Sequence, residues 1–459
     1  MNVQKHIIGV AVVCGLVTHT PFSMATDVFH FEGYGAVSRA MGGTAVAQDV
    51  GAAGMMTNPA TLSLSPDVHQ LMLGLDIVTT DINVRDRNTG ESVSSDDHSN
   101  NRGPYIAPEL AYTQRVGQWS FGVGAFAKGG LGTEYGKNSF LSRATGGANT
   151  GLDNSSRLLV LDIPFAASYQ VTDDLSIGAS LDALWQGLNL DLLLGADQVG
   201  SLIGSGRVSG SLLPVIGGIP ELQGAHFSLT KNKPLASGVD AWGYSGRFGI
   251  VYQAVPGTKL GASYTFKSQI SDMEGDATLT AISGELGQIP LSGKIKIKDF
   301  QMPAKADIGI SHQLTSAWTV AADISRVFWK DAMKDIKVSF QANGGGNMNI
   351  LLPQNYKNQT ILALGAAYVL SPKWTFRAGL RIASEALRSE TLFAVIPATP
   401  TKHATFGFSY TISKESRVDF AYSHAFEKKM NNENLPNTSD PIQVTHSQDN
   451  AVINYVYRF

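Results

Sequence analysis

The chain has 459 residues, 43% of them hydrophobic and 16% charged, with 35 basic against 38 acidic side chains and a formal charge of −3. So weak and interspersed a charge offers no basic stripe for nucleic acid, and no apolar run after residue 25 approaches the roughly 20 residues of a membrane-crossing helix. A β-barrel stays open, because strands that alternate apolar with polar residues average to a hydropathy near zero, as here.

Residues 1–25 read as a signal peptide. MNVQKH carries one Lys, IIGVAVVCGLV at 7–17 is an unbroken apolar run, and Ser23 and Ala25 place small residues at the −3 and −1 positions of a cleavage after Ala25. The single cysteine, Cys14, falls inside this leader, so the exported chain is expected to have no thiol for disulfides, thiol catalysis or a Cys-ligated metal. No cofactor or metal site is expected. Loss of Lys5 brings the charge to about −4.

Residues 26–66 differ from all that follows. EGYGAVSRAMGGTAVAQDVGAAGMMTNPATLSLSPD, 32–67, is rich in Gly, Ala and Met and ends soon after Asn58-Pro59-Ala60. It reads as a compact hatch of turns and short helices, its glycines letting backbone approach backbone in a confined space. A disordered periplasmic tail is the alternative, and the low charge and apolar content argue against it.

From residue 67 to 459 the chain alternates. In AVINYVYRF, Ile453, Tyr455, Tyr457 and Phe459 share one face and Val452, Asn454, Val456 and Arg458 the other. Six short turns recur, in RVGQWSFG, VTDDLSIG, AVPGTKLG, QLTSAWTV, VLSPKWTF and TISKESRV. Each joins two strands, and with one strand entering and one leaving at Phe459 the total is fourteen. Several strands restart on Trp (Trp119, Trp318, Trp374), a ring suited to a membrane boundary. The opposite connections are long, as at 84–102, 133–155 and 187–237. Short turns on one side and long loops on the other are the pattern of an outer-membrane barrel, so the expected fold is all-β, a 14-stranded antiparallel transmembrane β-barrel whose lumen the N-terminal hatch plugs.

Two stretches stand out. Residues 188–222 are apolar in what should be a water-facing loop, with Leu192, Leu193, Leu202, Ile203, Leu212 and Leu213 as candidates for an external capture groove. Two short helices packing on each other is the other reading. Lys128-Gly129-Gly130-Leu131-Gly132 ends the third strand. Gly129, Gly130 and Gly132 would permit a bulge and a gap in the wall, although spacing alone favours the plain start of an external loop.

Together these features resemble the FadL family of outer-membrane channels for hydrophobic compounds, across essentially the whole exported chain. The likeness rests on EGYGAVSRAMGG, NPATLS and the terminal Phe459, and LGLDIVTTDI, SNNRGPY, GLGTEYG, DNSSRLLVLDIP and LNLDLLL are similar to its aromatic-hydrocarbon branch. The resemblance implies a bacterial outer-membrane channel, not an enzyme. In that picture a hydrophobic molecule, a toluene-like monoaromatic, is captured in the apolar groove, passes to a pocket above the hatch, and leaves sideways at a kink at Gly129, Gly130 and Gly132. Asn58, Pro59 and Ala60 would form the hatch motif. Long-chain fatty acid is the alternative cargo. The implied partners are the outer-membrane lipid and, through Phe459, the barrel-assembly machinery, with a monomer expected.

Two other classes fit less well. A general porin should ring its pore with charge, whereas Asp182, Arg247, Asp323, Arg377, Arg381 and Asp419 are scattered. For an enzyme, HExxH is absent and G-x-S-x-G lacks its strand-to-helix context. His226, His312, His403, His424 and His446 read as boundary or loop residues.

Overall fold

A computed structural model describes residues 28–95, 105–229 and 238–459. The signal peptide expected over 1–25 lies outside the described residues. Period-two burial sets the architecture. Val452, Asn454 and Val456 are buried, while Ile453, Tyr455, Tyr457 and Phe459 are exposed. Phe406, Leu181, Ile308, Ile324 and Leu380 are likewise exposed, and Asp162, Asp182, Arg247, Asp323 and Asp419 are buried. The apolar set therefore faces out and the charged set in, the reverse of a soluble sandwich.

The wall strands are β1 (His69–Asp86), β2 (Tyr105–Val116), β3 (Trp119–Glu134), β4 (Ser155–Gln170), β5 (Leu175–Gly195), β6 (Val239–Val255) and β7 (Thr258–Thr265). They continue as β8 (Lys305–Gln313), β9 (Trp318–Val327), β10 (Gln359–Val369), β11 (Trp374–Ala383), β12 (Lys402–Thr411), β13 (Ser416–Asn432) and β14 (Ile442–Arg458). Each pairs antiparallel with the next. β14 returns to β1 from Gln70↔Arg458 to Asp86↔Ile442, which closes the sheet into an antiparallel barrel.

The tight turns lie at one end. There Trp119 meets Tyr169, Trp318 meets Tyr368 and Trp374 meets Tyr410, with ring centroids 4.7, 4.7 and 4.6 Å apart. These cross-strand pairs form an aromatic band of the kind found where a barrel leaves the hydrocarbon.

At the other end the expectation of plain loops fails. Among the described residues the sheet holds 22 strands, not fourteen, because the long connections go on pairing. Leu222–Leu229 pairs with the end of β5 and with Met273–Ser283. Gly287–Lys298 pairs with Asp335–Ala342, and the latter with Asn347–Pro353. Residues 188–195, expected in an apolar loop, are the continuation of β5, followed by a helix at Ala196–Gly204. Leu188, Leu190, Leu192 and Leu194 in this stretch line an interior cavity.

Residues 28–66 form a helix, Gly35–Ala40, and two 3-10 turns, Gly51–Met56 and Pro59–Leu64. The Ala36 N–H donates to Asn454 on β14 (2.6 Å), Gly42 to Thr405 on β12 (2.9 Å) and Ala45 to Asp323 on β9 (2.7 Å). The Asn58 amide donates to the Ile250 carbonyl on β6 (3.1 Å). One segment thus bonds to strands around the circuit. At Gly42, where φ is +70°, a Cβ would meet the Leu364 and Leu380 carbonyls at 2.9 and 2.7 Å, so glycine is needed for this approach.

Candidate functional site

Among the described residues, the wall is interrupted between β2 and β3. The β2–β3 ladder runs from Val116↔Trp119 only to Leu110↔Ala125. β2 nevertheless stays paired to β1 as far as Tyr105↔Val78, and β3 to β4 as far as Glu134↔Ser155. Residues 105–109 and 126–134 thus run on without pairing to each other. Pro108, on the unpaired stretch of β2, has no N–H to give a ladder.

A bulge opens the same stretch. The β3–β4 register shifts between Ala127 and Gly129, leaving Lys128 as the extra residue. Lys128 is buried, with its ammonium 3.1 Å from Asp162, which also takes Arg247 at 2.6 Å. The ion pairs compensate burial of the bulge residue's charge. The glycines beside it are constrained. A Cβ on Gly129 would run into the Phe29 carbonyl, one on Gly130 would sit 2.7 Å from the Leu158 carbonyl, and one on Gly132 would strike the Tyr105 ring.

Two cavities meet at this point. The first, with about 750 Å³ of space unfilled by atoms, is lined by Phe29, Leu158, Leu188, Leu190, Leu192, Leu194, Phe227, Ile295, Ile297, Phe300 and neighbouring apolar residues. Among the described residues, Ser156, Gln354 and the Tyr356 hydroxyl are its only polar side chains and no cation lines it. The second, about 960 Å³, lies at the interruption and is lined by Val78, Tyr105, Ile106, Gly129, Gly130, Gly132, Glu32, His403 and His446, among others. Leu158 borders both. Phe29 faces the first, while its neighbours Val28 and His30 face the second, so the start of the inward segment divides the two.

Of the candidate groove residues, Leu192 and Leu193 border an outer groove of about 1380 Å³ together with Leu141 and Phe393. Leu192, Leu202 and Leu212 belong to the main buried apolar cluster, Leu193 packs with Ala144 and Ile282, and Ile203 and Leu213 are half-buried. Asn58 is fully buried, its amide donating to Val46 (2.7 Å) and Ile250 and its oxygen accepting from Ala60 N–H (3.1 Å). Pro59 and Ala60 follow it in the 3-10 turn.

Several site residues escape the sequence reading. His403 and His446, expected at boundaries or in loops, are buried on the second cavity. Glu32 faces the same cavity. Burial opposes its charge, but Arg39, His403 and hydrogen bonds from backbone and Asn450 together outweigh burial and hold the carboxyl down at about 2. Arg39 is itself fully buried and donates to Asp76 at 2.7 Å and to the Gly33 carbonyl at 3.0 Å. Of the scattered inward charges, Asp182 pairs with Arg247 and Asp419 with Arg417, while Asp323 accepts the Ala45 and Val46 N–H groups and Arg377 donates to Ser409.

A family model described as outer membrane protein transport protein (OMPP1/FadL/TodX) matches residues 15–459. The chain belongs to this family. The FadL-type match fixes its place in the outer membrane and makes it a transport channel instead of an enzyme. It is similar to the solved Ralstonia pickettii toluene transporter TbuX, at 47% identity over 93% of this chain and 99% of that one, with a TM-score of 0.80. It is also similar to the Pseudomonas putida toluene transporter TodX, at 42% identity over 93% and 99% with a TM-score of 0.83. Haemophilus influenzae outer membrane protein P1 is 24% identical over 425 residues, 89% of this chain and 87% of the relative.

Proposed function

We propose that this FadL-family channel admits monoaromatic hydrocarbons such as toluene across the outer membrane. The molecule enters the outer groove at Leu192 and Leu193, settles in the apolar cavity beyond Phe29, and leaves sideways between β2 and β3 into lipid. The observation that carries this reading is the ladder that stops at Leu110↔Ala125 beside a cavity. Lateral exit suits the cargo, since apolar surface is favoured in hydrocarbon over water by about 25 cal/mol per Å². Toluene transporters among the similar solved structures support the same cargo. A fatty-acid carboxylate fits the first cavity less well, because no cation lines it among the described residues.

In this reading the membrane is crossed by the fourteen strands β1–β14, with 1–25 a cleaved leader, 26–66 the hatch and 67–459 the barrel. Asn58, Pro59 and Ala60 seat the hatch. Gly129, Gly130 and Gly132 form the exit, and the capture groove extends from Leu192 and Leu193 toward Leu202, Ile203, Leu212 and Leu213. Phe459 presents the assembly signal, and each monomer works alone. The test is uptake of radiolabelled toluene at low concentration by cells with and without the gene. A clear loss without it supports the reading, and equal uptake refutes it.

A further inference from the structure

On the cavity at the interrupted ladder, the buried nitrogens His30 Nε2 and His446 Nε2 have no hydrogen-bond partner among the described residues. For His446 the other ring nitrogen decides what Nε2 offers. Nδ1 lies 2.7 Å from the Pro397 carbonyl oxygen, and a carbonyl only accepts. Nδ1 therefore carries the proton, and the neutral ring presents a bare lone pair at Nε2. A buried acceptor left unmet is costly, so this one marks a place for an arriving donor.

We propose that this cavity is a second binding site, selective for aromatic molecules that carry one hydroxyl, a phenol or a cresol. The O–H donates to His446 Nε2, and the ring packs on Val78, Ala107, Leu158 and Ala398, which line the same space. His30 supplies a second unmatched nitrogen on the cavity, able to donate to the hydroxyl oxygen. A carboxylate is the wrong guest. It has no proton to give and would face Glu32, which Arg39 (3.6 Å) and Asn450 (3.1 Å) hold ionised. The lining cation, Arg157, is stacked 5.2 Å over the Tyr105 ring.

The site rests on the transport reading and deepens it: the channel would pass hydroxylated aromatics along with plain hydrocarbons. The test compares p-cresol with p-xylene, its isostere with methyl for hydroxyl, by equilibrium binding to the detergent-solubilised full chain, with toluene as reference. Hydrophobicity alone favours p-xylene. One hydrogen bond in a dry site should instead make p-cresol bind about fivefold more tightly. His446→Phe should abolish that preference, while His446→Gln, which keeps an acceptor, should retain part of it. Equal binding of p-cresol and p-xylene by the unaltered chain, or a preference that survives His446→Phe, overturns the proposal. If toluene binds normally in that case, the transport reading stands and only the second site falls.

Discussion

Gly129 and His30 form an antiparallel bridge, so the bulged end of β3 and the first residues of the inward segment share one backbone contact. The neighbouring Phe29 carbonyl occupies the space where any side chain at 129 would go. Phe31 N–H and the Tyr34 hydroxyl both donate to the Lys128 carbonyl, at 3.3 and 2.9 Å, in the same place. The interruption in the wall and the divider between the cavities are therefore mechanically one unit.

Seating of the inward segment depends on Arg39. Arg39→Ala would leave Asp76 and Glu32 buried without their cation, a loss of about 3–5 kcal/mol. The wall ladders do not involve this side chain, so the barrel should still resist unfolding in detergent at room temperature. Planar-bilayer recording should show steady ionic current in the variant and little in the parent chain.

Asn58 acts on the same segment more locally. Asn58→Ala removes bonds to Val46 and Ile250 and the cap on Ala60 N–H, at about 1–3 kcal/mol for the buried groups left unmet. Amide exchange at residues 45–62 should accelerate, while strand amides of β10 to β13 keep their protection.

The first cavity should reject charge. Leu192→Lys places an ammonium among Leu190, Leu194 and Phe227, where it is either poorly solvated or turned toward the outer groove. Equilibrium binding of toluene should weaken by about tenfold, with the folded barrel intact.

The chain end can be tested by assembly. Phe459 stacks on His69 with centroids 5.0 Å apart and planes 4° from parallel, at the seam where β14 meets β1. Phe459→Ala should lower the amount of heat-modifiable barrel recovered from outer membranes severalfold, whereas Tyr455→Ala, on the same outward face but away from the chain end, should change it little.

The wall was legible because alternation and turn chemistry are local. All six short turns found in the sequence join consecutive wall strands, and Trp119, Trp318 and Trp374 each restart one. The outer strands were not legible, because residues such as Leu190 and Leu192 continue β5 into a region with apolar side chains on the inside, where the rule of apolar-out no longer separates strand from loop. His446 was within reach. The parity that places Val452, Asn454 and Val456 inward in the last strand also places residue 446 inward, but the polar stretch before 447 looks like a loop in sequence although the strand begins at Ile442. The cavities themselves were not, since Phe29, Leu158 and Ile295 come together only through pairing of distant strands and the return of the N-terminal segment.

The central claim is exit through the side of the barrel. The most direct measurement is uptake of radiolabelled toluene at low external concentration by cells carrying the Gly129→Val, Gly130→Val double variant, with the amount of folded barrel matched to that of the parent. Blocking the interruption should bring uptake down close to that of cells lacking the gene. Uptake equal to the parent's would contradict a path between β2 and β3.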